Sequence, residues 1–300
     1  MTPTIRTSLL SLLSLTLLAV LPACKRSEPA AGSGPAPAAG ATGATARGDR
    51  ALTVKGSDTM VLLGQRWAED YMKKHPGTSL QVTGGGSGTG IAALVNGTTD
   101  IAMSSRAIKD PEKQQLQSKQ KAEAKEIAVA KDGVTFYVHE SNPLTSLTVE
   151  QLQGIYLGDI TNWKDVGGPD AQIVVYSREN SSGTYVFVKD EVLKGDDFAA
   201  TALTLPGTAA VVNAVSKETH GIGYGGAAYA KGIKELKVKV GTEEIAPSQE
   251  NIQSGKYPLS RNLFFYVRGE PSGAVQQFID FALSPEGQQI VTQVGYFPVK

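Results

Sequence analysis

The chain of 300 residues has one cysteine, three histidines and no excess of either charge, with 29 Lys and Arg against 29 Asp and Glu. A lone cysteine, Cys24, rules out a disulfide framework within the chain. His75, His139 and His220 are scattered without ligand spacing, so a zinc site has nothing to build on. The balanced charge and the lack of any dense basic run argue against a nucleic-acid binder that relies on a positive face. Charged residues make up only 19 % of the chain and hydrophobic ones 41 %, which excludes wholesale disorder. Glycine, by contrast, is abundant at 33 residues and predicts tight loops and close backbone approaches.

Residues 1–23 begin with a short polar start carrying Arg6 and continue into an apolar run from Leu9 to Leu21. At about 13 residues this run suits a signal-peptide core and is short for a membrane span. It ends Leu21-Pro22-Ala23-Cys24, which resembles the lipobox of bacterial lipoproteins, where the cysteine thiol receives a lipid before cleavage. An ordinary secretory signal followed by an incidental cysteine is the alternative; the position of the sole cysteine at the cleavage point favours lipidation of Cys24. Residues 24–50, rich in Ala, Gly, Pro, Ser and Thr, read as a flexible tether between a membrane surface and the folded body. Arg6, Lys25, Arg26, Arg47, Arg50, Glu28 and Asp49 all precede residue 51, which leaves 24 cations against 27 anions in the body. The body as a whole does not attract anions, so an anion site has to be made from local groups.

From residue 51 the pattern alternates strand and helix. Strands are expected over 51–55, 79–83, 100–103, 133–138, 173–176, 221–224 and 262–267. Helices are expected over 60–74, 91–96, 110–125, 148–156, 183–193 and 209–217, with two more around 273–293. This order predicts an α/β fold with a largely parallel sheet and ligand-binding loops at strand ends.

Three of those loops share one chemistry. Gly56-Ser57-Asp58-Thr59, Gly86-Ser87-Gly88-Thr89-Gly90 and Ser181-Ser182-Gly183-Thr184 each open a helix with hydroxyls and free N–H groups. A helix N-terminus favours an anion through its orphan amides and its dipole. Each loop alone is equally an N-cap or a tight turn; three together point to a shared oxyanion. Arg178 precedes the third loop and can donate two parallel bonds to an oxyanion, with Glu179 as its partner or as a solvated neighbour. Arg106, after Ser104-Ser105, is a second candidate cation. The glycine loop has no lysine at the phosphate-loop position, and Ser87 lacks the glycine two places after it that a nucleophile elbow needs, so nucleotide and serine-hydrolase readings lose their motifs.

These residues, together with Asp100 to Arg106, Leu147 to Trp163, Ser177 to Thr184 and Gly221 to Tyr224, resemble the substrate-binding proteins of bacterial phosphate ABC transporters over almost all of residues 51–300. The resemblance implies a two-lobed periplasmic-binding fold of type II. In it each lobe is a mixed, mostly parallel sheet flanked by helices, with the ligand in the cleft between them. It places lobe one at 51–135 plus 258–300 and lobe two at 136–257. Around inorganic phosphate it sets Asp58, Thr59, Ser87, Ser105, Arg178, Ser182, Gly183 and Thr184, with Ser57 and Arg106 as further candidates. Many relatives carry a carboxylate at the position of Ser105, where it accepts a hydrogen bond from the protonated phosphate oxygen; here Asp58 is the carboxylate left for that task. A monomeric, non-enzymatic, lipid-anchored receptor outside the cytoplasmic membrane is expected, serving an ABC transporter permease, with no cofactor, metal or nucleic acid. A receptor for sulfate, molybdate or a phosphonate, and a secreted phosphatase, are the alternatives.

Overall fold

A computed structural model describes residues 51–299; the leader, Cys24 and the tether lie outside the described residues. The first stretch runs β1 (Leu52–Gly56), α1 (Val61–Lys74), β2 (Leu80–Thr83), α2 (Ser87–Val95), β3 (Ile101–Ser104) and α3 (Asp110–Gln120). Helix α1 buries Leu63, Trp67 and Tyr71, one per turn, as the period of an amphipathic helix requires. Trp67 also donates its indole N–H to the Gly287 carbonyl at 2.8 Å, so its one polar atom is satisfied inside the core. Helix α2 begins at Ser87, not at Ile91, because Gly86 with φ 93° turns the chain directly into the helix. Gly90 then lets α2 lie against β1: a Cβ there would stand 2.4 Å from the Lys55 carbonyl oxygen.

Helix α3 stops at Gln120, where Lys121 turns left-handed, and the next residues enter β4 (Ala124–Val138). The sequence reading carries this helix to residue 125, with Pro111 in its first turn. Local propensity loses here to pairing of the strand with a distant partner. There follow β5 (Ser146–Thr148), α4 (Val149–Leu157), β6 (Val174–Arg178), α5 (Gly183–Glu191), β7 (Leu203–Leu205) and α6 (Gly207–Val215). The chain ends through β8 (Gly221–Gly226), β9 (Lys234–Val240), β10 (Glu243–Ile245), α7 (Gln249–Gln253), β11 (Ser260–Arg268), α8 (Gly273–Leu283) and α9 (Pro285–Val294). Sequence reading missed β5, β7, β9, β10 and α7. Of these only β9 carried a usable cue, since Leu236 and Val238 are buried while Lys237 and Lys239 are exposed.

The strands follow the order β2-β1-β3-β11-β4-β8-β6-β7, with β9 on the second half of β4. Parallel pairs form the two wings, β2-β1-β3 and β8-β6-β7, and antiparallel pairs form the middle, where β11 and β4 lie. The sheet is thus mixed, with its parallel pairs in the wings and between β5 and β9. Each wing has its own core: Trp67, Met103, Leu263, Phe265 and Phe278 in the first, and Phe136, Tyr156, Trp163, Ile222 and Tyr224 in the second. Strand β4 serves both, with Val129 and Ala130 in the first core and Val134, Phe136 and Val138 in the second. The chain crosses back just before β11, since Tyr257 and Leu259 belong to the second core and Leu263 to the first. The lobes are therefore joined by two adjacent antiparallel strands, and the described residues 51–299 belong to one compact unit.

Charged groups are buried along this joint. Asp132, 0 % exposed on β4, pairs with Arg261 of β11 at 2.8 Å. Glu235 stands opposite Tyr137 on β9, and burial first, then the charge of Asp132, push its carboxyl up to about 7. The folded protein holds this proton where the unfolded chain has lost it. Its contribution to stability is therefore full below about pH 4.5 and is lost as pH rises through about 7. Glu235→Gln should flatten the fall in stability across that window by at most about 3 kcal/mol, and by less to the extent that water reaches the side chain. Urea midpoints for both proteins at about pH 5 and about pH 8 check this; an identical fall in the two would clear Glu235 of the effect.

Candidate anion-binding site

The ends of β1, β2 and β3 in the first lobe and of β6 in the second face one another. Their loops bring Ser57, Thr59, Ser87, Ser105, Arg178, Ser182 and Thr184 together, each no more than 2 % exposed. These are seven of the residues singled out in the sequence, and the structure places them in one buried polar cluster. Gly183 sits in its middle: a Cβ there would lie 2.3 Å from Ser87 Oγ and 2.6 Å from Ser105 Oγ. Only a glycine lets the N-terminus of α5 come this close to the serines of the opposite lobe.

Two chains of hydroxyls run through the cluster. In the first, Ser57 Oγ donates to Ser105 Oγ at 3.0 Å, the Ser105 N–H donates to Ser87 Oγ at 3.0 Å, and the two hydroxyls of Ser87 and Ser105 are 3.3 Å apart. In the second, Thr59 Oγ1 and Thr184 Oγ1 meet across the cleft at 3.0 Å. Ser182 Oγ accepts from the Thr184 and Tyr185 N–H groups at 3.2 Å each, so it caps α5 as expected and keeps its own O–H to donate. The Gly88 N–H crosses the cleft to the Ser181 carbonyl at 2.9 Å.

Arg178 enters this cluster from the second lobe. Its Nη2 donates to Asp58 Oδ2 at 2.7 Å and its Nη1 to Thr208 Oγ1 at 2.9 Å, while its Nε is buried with no hydrogen-bond partner among the described residues. Burial pulls its pKa down, and the neighbouring Asp58 carboxylate opposes that pull. Asp58 Oδ1 accepts from the Gly85 N–H at 2.7 Å. Asp58 therefore caps no helix; it braces the glycine loop and anchors the arginine across the cleft. Glu179, the neighbour that the sequence offered as partner, is exposed.

Arg106, the other candidate cation, is not drawn into the cluster by any hydrogen bond. Its Nη1 and Nη2 donate to Glu112 at 2.8 and 2.6 Å and Nη1 also to the Ala107 carbonyl, so it serves the start of α3. Trp163 of the Ile160-Thr161-Asn162-Trp163 element is a core residue whose indole donates to the His220 carbonyl at 3.0 Å. Sequence reading missed Thr208, Tyr229, Asp132 and Arg261. Tyr229 donates to the Asp58 carbonyl at 2.8 Å, and Arg261 Nη2 donates to Thr184 Oγ1 at 3.0 Å. None of these lies in a loop of recognisable pattern. Among the described residues no group of three or more His, Cys, Asp or Glu is arranged to hold a metal ion.

A two-lobed α/β body that encloses hydroxyls, amides and a paired arginine between its lobes has the build of a receptor that closes over a small anion. The model of the PBP superfamily domain matches residues 36–286, and the chain belongs to that superfamily, among the phosphate-binding proteins PstS. It is 34 % identical over 262 residues to the phosphate-binding protein PstS of Pseudomonas aeruginosa, covering 81 % of each chain. With the PstS of Staphylococcus haemolyticus it shares 35 % identity over 245 residues, 78 % of this chain and 75 % of the other. A Clostridium perfringens protein described as a phosphate ABC transporter substrate-binding protein, solved with bound phosphate, superposes with a TM-score of 0.77 at 32 % identity, over 84 % of this chain and all of that one.

The closeness of Gly183 to the serines makes closure sensitive to a single methyl group. Gly183→Ala should wedge the cleft and leave both cores intact, because its Cβ meets Ser87 and Ser105 and no core residue. Small-angle scattering should then give a larger radius of gyration than for the unchanged protein with an unaltered circular dichroism spectrum; equal radii would mean that the serines yield.

Proposed function

We propose that this protein is an extracytoplasmic receptor that encloses inorganic phosphate between its lobes and delivers it to an ABC transporter permease in the cytoplasmic membrane. The observation that carries this reading is the buried cross-cleft cluster of hydroxyl and amide donors around Arg178, in a chain whose relatives are phosphate-binding proteins by name. Phosphate is held by Asp58, Thr59, Ser87, Ser105, Arg178, Ser182, Gly183 and Thr184, with Ser57 supporting Ser105. The lobes divide at 51–135 plus 258–300 and 136–257. Arg178 supplies the charge, and its pairing with Asp58 keeps the site near neutral until the anion arrives.

Asp58 also sets selectivity. A carboxylate beside a bound anion repels it unless a proton lies between them; phosphate near neutral pH carries one and sulfate does not. Each Asp58 oxygen accepts one hydrogen bond from the protein and has a second lone pair for such a proton. The receptor role is favoured over a phosphatase because Ser87 Oγ has serine groups as its partners and no general base bonded to it. No helix among the described residues is long and apolar enough to cross a membrane. Attachment to the membrane as a monomer through lipid on Cys24 completes the proposal.

Calorimetric titration with phosphate, sulfate and molybdate tests the reading. Phosphate should bind and sulfate should not compete; Arg178→Ala should cost on the order of 2–5 kcal/mol of binding, as for loss of a buried charge partner. Asp58→Asn should weaken phosphate and admit sulfate. Preference for sulfate or molybdate in the unchanged protein would move it to another oxyanion, and turnover of a chromogenic phosphate ester abolished by Ser87→Ala would make it an enzyme. Separately, Cys24→Ser should release the protein from the membrane fraction or leave it unprocessed, since several acyl chains anchor durably where none remains to do so; normal processing and fractionation would remove the lipid from the proposal.

A further inference from the structure

Arg261 stands outside the three loops and outside the set of residues proposed to hold phosphate, yet it reaches the site. Its side chain is 5 % exposed and that of Asp132 0 %. Nε and Nη2 donate to the same oxygen, Asp132 Oδ2, at 3.1 and 2.8 Å, and Nη2 also donates to Thr184 Oγ1 at 3.0 Å. The Phe187 ring lies 5.4 Å from its Cζ and covers one face of the guanidinium. Asp132 is on β4 and Arg261 on β11, the two strands that join the lobes, whereas Thr184 belongs to α5 in the second lobe and Thr59 to the first.

We infer that Arg261, held by Asp132, is a positioning residue that fixes the direction of the Thr59–Thr184 hydroxyl pair so that it donates to the anion. A guanidinium has donors and no acceptor, so at Thr184 Oγ1 it occupies a lone pair and never takes the hydroxyl proton. The two threonines have two hydroxyl protons, and their mutual bond uses one. Because the guanidinium donates to Thr184 Oγ1 and polarises its O–H, the favoured sense is Thr184 to Thr59, which leaves the other proton on Thr59 to donate to a third group. A full positive charge at the start of this chain polarises each bond after it, which strengthens the last donor. With Arg261 absent, a buried lone pair on Thr184 lacks its donor and the pair loses its fixed sense. The same guanidinium is tied to both connecting strands, so the orientation of the pair depends on the lobes being closed.

This inference rests on the phosphate reading, and the experiment separates the two. Removing Arg261 alone strands the buried Asp132 carboxylate, so the test variant neutralises both, Asp132→Asn with Arg261→Met, and its melting without ligand verifies folding. Phosphate should bind about tenfold more weakly to this variant. In a Thr184→Val background the same pair of substitutions should change the dissociation constant less than twofold, because the acceptor is already gone. Arg261→Lys keeps the buried charge and a donor; it should lose only a few-fold in affinity, again only when Thr184 retains its hydroxyl, and it carries the test should the paired variant not fold. Unchanged affinity in the variants, or an equal loss with and without the Thr184 hydroxyl, would overturn the role of Arg261. Each titration is repeated with sulfate. If the unchanged protein takes sulfate and refuses phosphate, the phosphate reading falls and the same cycle run with sulfate decides on Arg261; binding of neither anion overturns both.

Discussion

The structure depends on the ion pair between Asp58 of the first lobe and Arg178 of the second. Closing a cleft over an arginine takes a charge out of water, and such a charge is tolerated only when it is paired and hydrogen-bonded. Asp58 provides the pair at 2.7 Å and Thr208 a second acceptor at 2.9 Å, so both terminal nitrogens of the guanidinium are hydrogen-bonded in the interior. Asp58 is in turn fixed by the Gly85 N–H, which ties the position of the arginine to the shape of the glycine loop. One contact thus couples loop geometry, lobe closure and the field inside the site.

The two connecting strands extend this coupling. Because β4 and β11 each place residues in both cores or at their boundary, the lobes cannot separate by stretching the joint and have to turn about it. The joint also carries the second arginine–aspartate pair, Arg261 with Asp132, and the half-buried Glu235 beside it. Two buried pairs, one in the cleft and one in the hinge, each balance internally. In the proposed site the charge of a bound anion is then met by oriented dipoles and by hydroxyl chains ending in a donor, which is consistent with a body having fewer cations than anions.

Much of this was legible in the residues. The three hydroxyl-rich helix starts are local patterns, and the structure gathers them because β1 and β2 run toward the cleft from one wing and β6 in the opposite sense from the other, so that their C-terminal ends meet there. The leading strands and helices were placed within a few residues, since periodicity and N-cap residues are local too. What stayed hidden depends on distance along the chain. Residues 124 and 125 fall in the expected helix and 126–132 in no expected element, and they form a strand because β11, more than a hundred residues later, pairs with them. Asp58 looks like a helix cap and proves to be the partner of an arginine 120 residues away. Arg261 lies in an apolar strand where no motif marks it, and its meaning comes from Asp132 and Thr184, neither of them near it in sequence.

The arrangement also accounts for how an anion could bind without undoing the closed form. If the guanidinium of Arg178 were wholly spent on protein acceptors, a ligand would have to displace Asp58 and leave a carboxylate without its cation. Nη1 and Nη2 each give one of their two N–H groups to the protein and Nε gives none, so the guanidinium keeps donors for a ligand. The hydroxyl chains follow the same rule: in each, the bonds between serines or threonines consume all but one proton. Binding therefore adds bonds to donors already aimed and leaves those that hold the lobes together in place. In the proposed site closure and recognition draw on different atoms of the same side chains, which lets its internal charge stay balanced while it is shut.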